Sequence, residues 1–327
     1  MVSHAGPLLV LSGDDLIGLL HPLQIVAAVE AALRAHETGH VVAPKRLHMQ
    51  WNSNTLLTMP AATEERLGVK IVSVFPGNTV RDLPVTNGIM ILNDSETGVP
   101  IAIMNAAALT AQRTGAVGAL GVKYLTPQQT LSVGIVGCGV QGAWQAVFAC
   151  AERPSREVFV CGRSMAGFDK FASTVSRHAP GARVTPCQDT RDLLERTDLV
   201  IAATTSAEPV LPDESQLLEN KHFISVGSYN PTMQELPDSV YRLAGSLAID
   251  SEHARHEVGD VINPLQRGIL KETDIFSIGE CVTANRTVDT SHTTAYKSVG
   301  WAVYDLFVAQ AFYRAARAQG IGLEIAL

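Results

Sequence analysis

Three basic residues in the first third of the sequence are of the types that bind a carboxylate. Arg46 lies in "APKRLHMQ", Lys70 lies in the apolar run "LGVKIVSVF", and Arg113 lies in "LTAQRTGA". An isolated buried charge is costly, so each cation needs an anion or must lose its proton. If the three converge, they form a pocket for a carboxylate, which the flat guanidinium groups can bind through two parallel hydrogen bonds.

The alternative is that each cation pairs separately with a carboxylate of the protein or lies on a wet face of a sheet. Acidic residues near them in sequence include Glu64, Glu65 and Asp94. Spacing along the chain does not decide between these arrangements, because it does not report contact in space. His48 is close to Arg46 in sequence, but a lone histidine is more often structural than catalytic.

A glycine-rich loop forms the second chemical motif. In "LSVGIVGCGVQGAW", Gly137-x-Gly139-x-x-Gly142 follows an apolar strand pattern and precedes a helical one. The first glycine permits a tight turn, the second lets the backbone approach a pyrophosphate, and the third allows close helix–strand packing. An ordinary glycine-rich turn is the alternative. The order of strand, loop, helix and second strand favours dinucleotide binding.

The end of the second strand of this unit bears on which nicotinamide dinucleotide binds. An acidic residue at this point would bind the ribose 2′-hydroxyl of NAD, but "EVFVCGRSM" continues with Gly162, Arg163 and Ser164. Arg163 has the charge and geometry to hold a 2′-phosphate, with the Ser164 hydroxyl beside it. The alternative is a solvated arginine after a strand. We therefore predict NADP(H) as the preferred cofactor, with NAD(H) as the alternative.

These residues require two differently built regions to position them. Residues 14–38 predict a short turn and then, after Pro22, a helix of about three turns, and residues 106–124 predict a second helix. Between them lie short β-like runs, "TLLTMPA", "GVKIVSVF", "NGIMILND" and "VPIAIMN", with a hairpin signal at "SETG". After "TPQQT", strand and helix patterns alternate, which is typical of a parallel sheet. The tail predicts an amphipathic helix that stops at Gly320.

The predicted fold class is therefore α/β. It combines a Rossmann-type, doubly wound parallel sheet with a discontinuous antiparallel α+β domain. We expect residues 1–115 and 293–327 to form this discontinuous domain. Residues 116–292 are expected to form the NAD(P)-binding domain.

Composition excludes several classes of function. The 327 residues carry a net charge of −7 and no dense Lys/Arg cluster, so a nucleic-acid partner is not expected. The N-terminal apolar patch lacks a basic flank and contains Asp14 and Asp15, so neither a signal peptide nor a membrane span is predicted. The five cysteines are scattered without a CxxC pair, which argues against a metal site or disulfide framework and favours a reducing cytoplasm. Cys138, inside the glycine loop, is interpreted as a small residue rather than a nucleophile.

Six segments together resemble the motifs of the ornithine cyclodeaminase/mu-crystallin family across essentially the whole chain. They are "RLHMQ", "GVKIVSVFPGN", "LNDSETGVPIAIMNAAALTAQRTGAVGALGVKYL", "GIVGCGVQG", "VGSYNPTMQEL" and "YKSVGWAVYDL". The resemblance implies a homodimer in which residues 1–115 and 293–327 form the substrate-binding and dimerisation domain. It also implies that Arg46, Lys70 and Arg113 contact the substrate and its carboxylate. The positions it assigns to the dinucleotide are Gly137, Gly139, Val140, Gln141, Gly142, Arg163, Ser164, Thr204 and Ser298, with Gly300 beside the last.

Two departures from the family pattern bear on the reaction. Ornithine cyclodeaminases carry a glutamate in the segment matching "TLLTMP" and an aspartate after the strand matching "ISVGS". The corresponding residues here are Leu57 and Tyr229. Cyclodeamination needs a base and a carboxylate that binds ammonium, so their absence argues against it. Tyr229 and Asn230 either line the site or form a turn with Pro231.

The resemblance and its departures together predict a reductase of cyclic α-imino acids. The substrate would be Δ1-pyrroline-2-carboxylate or Δ1-piperideine-2-carboxylate, reduced to L-proline or L-pipecolate, with Lys70 as the candidate proton donor. Same-family alternatives are a cis-3-hydroxy-L-proline dehydratase, an ornithine cyclodeaminase and an alanine-type dehydrogenase. A mu-crystallin-like binding protein is the non-enzymatic alternative.

Overall fold

The computed structural model describes residues 6–81, 83–129, 132–153, 155 and 157–326. The chain divides into two units. The first unit is Met1–Arg113 with Trp301–Leu327, and the second is Thr114–Gly300. Each unit is built around its own sheet, and the two sheets differ in strand direction.

The secondary structure follows the chain in three stretches. The first contains β1 (Leu8–Leu11), α1 (Gly13–Leu16), α2 (Pro22–Glu37), β2 (Leu47–Trp51), β3 (Asn54–Thr63), β4 (Arg66–Val74), a 3-10 helix (Pro76–Arg81), β5 (Thr86–Asn93), β6 (Pro100–Asn105) and α3 (Ala106–Leu125). The second contains β7 (Ser132–Val136), α4 (Val140–Glu152), β8 (Glu157–Cys161), α5 (Phe168–His178), β9 (Arg183–Pro186), α6 (Thr190–Arg196), β10 (Leu199–Ala202), α7 (Ser215–Leu218), β11 (His222–Ser225), α8 (Asp238–Ala244), β12 (Leu247–Ile249), α9 (Ala254–Glu257), α10 (Gly259–Gln266), a 3-10 helix (Glu272–Asp274), β13 (Ile275–Ser277), α11 (Ile278–Val282) and β14 (Thr294–Lys297). The third contains α12 (Ala302–Gln319) and β15 (Leu323–Ile325).

The sheet of the first unit has the strand order β15-β1-β6-β5-β4-β3-β2 among the described residues. Strands β2 to β6 pair antiparallel in sequence order, and β3 to β6 are the four predicted β-like runs. The turn between β5 and β6 is the predicted "SETG" hairpin. Strand β1 adds parallel to β6 and antiparallel to β15. The short strands β1 and β15 were not predicted, because three or four residues carry too little alternation to identify a strand.

Helix α12 packs against the strand that carries Lys70. Along β4, Gly68, Lys70 and Val72 alternate on the buried face, as the twofold side-chain period requires. Gly68 makes room for the helix, because a Cβ atom built there would lie 3.2 Å from Leu306 Cδ1. The helix ends at Gly320, whose φ of +66° gives the left-handed cap expected of glycine.

Pro22 begins helix α2 rather than only interrupting the apolar pattern. The helix has sixteen residues, longer than the predicted three turns, and Pro22 occupies its first turn, where proline costs no hydrogen bond. His21 caps it, since its Nδ1 accepts a hydrogen bond of 3.3 Å from the Leu23 N–H. Helices α2 and α12 pack against each other in the first unit.

The sheet of the second unit is parallel throughout its described strands, in the order β13-β12-β14-β11-β10-β7-β8-β9. From β9 to β11 this is the 3-2-1-4-5 order of a doubly wound dinucleotide fold, with the reversal between β7 and β10. The sixth place in the sheet is taken by β14, the last of these strands in the chain, with β12 and β13 beyond it. The predicted fold class, a Rossmann-type parallel sheet with a separate, largely antiparallel sheet, is confirmed. In such sheets ligands bind outside the carboxyl ends of the strands, near the reversal.

Within the described part of the chain, no helix has the length and apolar character needed to cross a bilayer. Those same residues contain no group of three or more His, Cys, Asp or Glu side chains placed to hold a metal ion. The Cys138 thiol donates a hydrogen bond of 3.1 Å to the Ser164 carbonyl oxygen.

Candidate functional site

Lys70 is paired with a carboxylate that lies far away in the sequence. Its Nζ is 2.7 Å from Asp305 Oδ2, and both side chains are almost fully buried, with 2% and 0% of their surface exposed. Asp305 lies in the first turn of α12. The Lys70 ammonium also donates a hydrogen bond of 3.4 Å to the Thr110 hydroxyl of α3. The buried cation of β4 is therefore satisfied by an ion pair within the first unit.

Arg113 is bound by the other oxygen of the same carboxylate. Its Nε donates a hydrogen bond of 2.9 Å to Asp305 Oδ1. The terminal nitrogens Nη1 and Nη2 form no hydrogen bond to any residue that the structure describes. One carboxylate thus joins two of the three predicted cations, and the outer edge of the Arg113 guanidinium stays available for a second anion.

Arg46, just before β2, belongs to the same electrostatic environment. Its charge is among those that lower the pKa of Lys70. The carboxylates near in sequence do not bind Lys70 or Arg113: Glu65 pairs with Arg66 at 3.5 Å. Asp94 instead accepts hydrogen bonds from Thr97 in the β5–β6 turn. Lys70 and Arg113 therefore do pair with a carboxylate of the protein, as the alternative expected, but with one distant residue that they share rather than separately with the nearby acidic residues.

The pKa of Lys70 is lowered to about 8. Burial is the largest cause, the negative charge of Asp305 opposes it, and the positive charges of Arg113 and Arg46 add to it. The ammonium remains mostly protonated at neutral pH, yet it releases its proton far more readily than an exposed lysine. A group with such a pKa can bind an anion and can also transfer a proton near physiological pH.

The glycine loop of the second unit has the three features of a pyrophosphate cradle. Gly137 has a φ of +111°, and a Cβ atom there would lie 2.7 Å from the Ala203 carbonyl oxygen. A Cβ on Gly142 would lie 1.9 Å from the Gly137 carbonyl oxygen, whereas one on Gly139 would meet nothing within 4 Å. Gly139 also caps α4 without a side chain, so the helix N-terminus is open to an anion. These residues fit a dinucleotide.

The other predicted cofactor residues follow different strands at the carboxyl edge of the same sheet. Arg163 and Ser164 come after β8, Thr204 after β10 and Ser298 after β14. From β8 to β14 the sheet order β8-β7-β10-β11-β14 spans four strand spacings, about 19 Å in all. That distance suits an extended dinucleotide lying across the strand ends.

The two residues that follow Gly139 lie at the start of α4. Val140 is 55% exposed. Gln141 has a buried side-chain oxygen without a hydrogen-bond partner among the described residues. Both are compatible with a ligand lying over the loop.

Sequence reasoning missed the acidic residues that hold the loops at these strand ends. Glu235 accepts hydrogen bonds of 2.6 and 2.8 Å from the backbone N–H and hydroxyl of Thr204, and one of 2.7 Å from the Gly227 N–H. It thereby ties the loop after β10 to the loop after β11. Asp250 accepts hydrogen bonds of 2.8 Å from the Ser298 hydroxyl and the Gly300 N–H, and burial raises the pKa of its carboxyl.

The sequence feature that could have identified Glu235, Asp250 and Asp305 is an acidic residue among apolar neighbours. Asp305 lies in "AVYDLFV" and Glu235 in "MQEL". An acidic residue in an apolar run requires a buried partner. Nothing in the sequence identified what that partner was.

The two positions where the sequence departs from the cyclodeaminase pattern lie in different units of the chain. Leu57 lies on β3, opposite His48 of β2. Tyr229 is 51% exposed. Asn230 Oδ1 accepts hydrogen bonds from the backbone N–H and hydroxyl of Thr232, at 3.0 and 2.8 Å, so Asn230 forms a turn before Pro231.

Residues 9–320 match the sequence model of the ornithine cyclodeaminase/mu-crystallin family. The chain belongs to this family. A Δ1-pyrroline-2-carboxylate reductase of Bacillus cereus is 30% identical over 328 residues, which cover 97% of this chain and 99% of that protein. The family resemblance inferred from the motifs is therefore confirmed.

Two solved structures share the fold over nearly the whole chain. The Thermococcus litoralis Δ1-pyrroline-2-carboxylate reductase, solved in complex with NADH and L-proline, is 31% identical with a TM-score of 0.90, covering 97% of this chain and 100% of that one. An archaeal alanine dehydrogenase dimer with bound NAD is 27% identical with a TM-score of 0.88, covering 98% and 99%. At the level of an oxidoreductase that uses a nicotinamide dinucleotide, the predicted enzyme class is confirmed.

Proposed function

We propose that this enzyme reduces a cyclic α-imino acid, Δ1-pyrroline-2-carboxylate or its six-membered homologue Δ1-piperideine-2-carboxylate, to L-proline or L-pipecolate. The observation that carries the proposal is the cluster around Asp305. Lys70 and Arg113 share this one carboxylate while the terminal nitrogens of Arg113 remain unengaged among the described residues. The reductase names of the relatives support the same substrate class.

The charge of the cluster supports a substrate with one carboxylate. Two cations, Lys70 and Arg113, contact the single carboxylate of Asp305, which offsets only one of their two charges. The remaining positive charge favours an anion, and the planar edge of a guanidinium matches a carboxylate in two parallel hydrogen bonds. Fixing the carboxylate also fixes the adjacent C=N carbon, which is how positioning lowers the barrier to reaction.

Lys70 supports the proton balance of the reduction. When bound, the nicotinamide supplies a hydride to the imine carbon. The imine nitrogen must then gain one proton to become the amine. Lys70 Nζ, with its pKa lowered to about 8, can donate that proton and recover one from water, because a general acid works best when its pKa is close to the working pH.

The same cluster argues against reactions that start from a free amino group. An alanine-type dehydrogenase or a cyclodeaminase needs a carboxylate to hold an ammonium group. In the described part of the cluster the carboxylate is Asp305, and both its oxygens already face cations. The cyclodeaminase positions hold Leu57 and Tyr229. The imine reductase is therefore our preferred member of the family's reactions.

For the cofactor we propose NADP(H) in preference to NAD(H). Arg163 and Ser164 are exposed directly after β8, where the adenosine ribose of a dinucleotide lies in this fold. An arginine there suits a 2′-phosphate, and "EVFVCGRSM" offers no acidic residue for a 2′-hydroxyl. The two solved relatives contain NADH and NAD, so both cofactors belong in the test.

We also propose a homodimer formed through the edge strand β2. Leu47, Met49 and Trp51 alternate along it and are 62%, 50% and 64% exposed. An apolar, unpaired edge strand is a site of association unless it is covered. The archaeal alanine dehydrogenase of the same fold is a dimer, which supports a second copy as the covering partner.

For the compartment of this protein we propose the reducing cytoplasm, because its five cysteines are all free.

A substrate panel tests the proposed reaction. Purified enzyme is mixed with NADPH or NADH and with Δ1-pyrroline-2-carboxylate, Δ1-piperideine-2-carboxylate, pyruvate plus ammonia, L-ornithine or cis-3-hydroxy-L-proline, and nicotinamide absorbance is followed. We expect oxidation of the cofactor with a cyclic imine, faster with NADPH. Water loss from cis-3-hydroxy-L-proline without imine reduction would establish the dehydratase instead. Cofactor binding without turnover of any substrate would favour the binding protein.

A further inference from the structure

Asp305 is the acceptor that two proposed substrate-binding cations share, and its own position is fixed by the fold. Lys70 Nζ lies 2.7 Å from Oδ2 and Arg113 Nε lies 2.9 Å from Oδ1. We propose that Asp305 is a positioning residue that holds Lys70 and Arg113 in the orientation that receives the substrate carboxylate. This inference rests on the proposed function and assigns the residue that prepares its binding site.

The contact with Arg113 determines which edge of the guanidinium faces the substrate. A guanidinium has five N–H donors in one plane, and Asp305 engages the donor on Nε. In the described residues nothing accepts from Nη1 or Nη2. Asp305 therefore occupies the inner donor and leaves the two terminal nitrogens, which form the fork that binds a carboxylate through two hydrogen bonds.

The contact with Asp305 also limits the orientation of the Lys70 ammonium. An ammonium group has three donors. The Lys70 Nζ forms an ion pair of 2.7 Å with Asp305 Oδ2 and donates a hydrogen bond of 3.4 Å to the Thr110 hydroxyl. These two contacts limit the directions in which the ammonium can reach a substrate.

Packing of the two residues that follow Asp305 makes it a rigid support. The next residue, Leu306, lies 3.2 Å from where a Cβ on Gly68 of β4 would stand. The Arg66 guanidinium carbon lies 4.3 Å from the centre of the Phe307 ring. The carboxylate lies in the first turn of α12, where the helix dipole favours negative charge. Asp305 has no exposed surface, so it cannot turn away to water.

The direction of the effect separates positioning from a simple charge role. The groups that face Lys70 are Asp305, Arg113, Arg46 and the neutral Thr110. If Asp305 only reduced the positive charge, Asp305→Asn would bind an anion more tightly. If it positions the cations, the same change releases both of them and binding weakens. A carboxylate in the wrong place, as in Asp305→Glu, separates geometry from charge.

The test measures binding of pyrrole-2-carboxylate, a planar analogue that carries the carboxylate but is not an imine. Calorimetry at pH 6.5 compares the full-length wild type with Asp305→Asn and Asp305→Glu. The matched control is Glu324→Gln, which removes an exposed partner of Arg317 on the same helix. We expect Kd to rise at least tenfold in Asp305→Asn, to rise about threefold or more in Asp305→Glu, and to stay unchanged in the control.

The second measurement is the pH above which binding of pyrrole-2-carboxylate weakens. Replacing a residue with a purely structural role would not change this pH. In the wild type we expect binding to weaken above pH 8, where Lys70 loses its proton. In Asp305→Asn this weakening should begin at least one pH unit lower, because the opposing negative charge is gone. In Asp305→Glu, which keeps that charge, the onset should move by less than half a unit.

The outcomes distinguish this inference from the function on which it rests. Equal or tighter binding by Asp305→Asn overturns the positioning role. If Asp305→Asn does not fold, Asp305→Glu decides, and wild-type affinity in that variant overturns the inference. A wild type that binds no pyrrole-2-carboxylate overturns the carboxylate site itself and the inference with it. Binding in the wild type without imine turnover rejects the proposed reaction but leaves the role of Asp305 supported.

Discussion

Gly142 lies so close to Gly137 that the pair admits no side chain: a Cβ on Gly142 would stand 1.9 Å from the Gly137 carbonyl oxygen. Gly139, between them in the motif, has open space where its Cβ would be. The same sequence pattern therefore contains two different requirements. Gly142 is needed by the fold itself, whereas Gly139 is needed only if a ligand fills the space beside it.

This difference predicts opposite phenotypes for two alanine variants. Gly142→Ala forces backbone apart and should lower the free energy of unfolding by about 3 kcal/mol or more. Gly139→Ala, at a φ of −80° that alanine adopts freely, should change it by less than about 1 kcal/mol. It should nevertheless raise the Kd for NADPH at least tenfold, because its methyl group occupies the pyrophosphate space. Urea unfolding and fluorescence titration measure the two quantities. Wild-type NADPH affinity in Gly139→Ala would show that the dinucleotide does not approach this residue.

Lys70→Ala should separate substrate chemistry from cofactor binding. The variant removes an ammonium that contacts Asp305 and Thr110 but leaves the second unit unchanged in sequence. We expect kcat/KM for the imine to fall by two or more orders of magnitude, about 3 kcal/mol or more of transition-state stabilisation. Steady-state kinetics and an NADPH titration on the same sample are the measurements. NADPH affinity should be nearly unchanged. A variant with near-normal kcat/KM would show that Lys70 is only structural.

The lowered pKa of Lys70 predicts a pH dependence of stability. Its pKa is about 8 in the folded protein against 10.5 for an ordinary lysine. Between these values the unfolded chain binds more protons, so stability rises with pH. The contribution of this group should therefore grow between about pH 8 and 10.5, by up to about 3 kcal/mol, and be complete above that range.

The comparison for this prediction is Lys70→Met, which is unbranched and keeps most of the length of the side chain without its charge. Urea unfolding at pH 7.5, 9 and 10.5 gives the free energy of unfolding of both proteins. The wild type should gain stability relative to Lys70→Met as the pH rises. A difference that is constant across the three pH values would show that Lys70 has an ordinary pKa in the folded protein.

The sequence predicted what local patterns encode and missed what distant contacts decide. The glycine loop was identifiable because its three glycines, the strand before it and the helix after it are adjacent in the chain. Lys70 was identifiable as a buried cation in need of an anion. Its partner was not, because Asp305 lies 192 residues beyond Arg113, with which it forms the same cluster. Only tertiary contacts among β4, α3 and α12 bring the three together, and no periodicity reports those contacts.

Glutamates on the exposed edge strand should break the proposed dimer. Met49→Glu with Trp51→Glu places charges on β2, where both side chains are at least half exposed. We expect a monomer by light scattering after size exclusion, with little change in stability, because charge on an edge strand opposes association. Leu323→Glu is the matched control. It lies on β15 at the opposite edge of the same sheet and is 64% exposed. Dissociation by the control alone would place the interface at the other edge.

Arg163 should determine the choice between the two cofactors. It follows β8 at the carboxyl edge of the parallel sheet and is exposed, so Arg163→Ala removes a charge without disturbing the core. If it holds the 2′-phosphate, kcat/KM for NADPH should fall at least tenfold, about 1.4 kcal/mol or more, while the value for NADH stays within about twofold. The control is Arg183→Ala, at the amino end of the neighbouring strand β9 and so on the opposite edge of the sheet. It should leave the ratio of the two cofactors unchanged. Equal loss with both cofactors would mean that Arg163 contacts a part that NADH and NADPH share, and the preference for NADP(H) would then have to come from another residue.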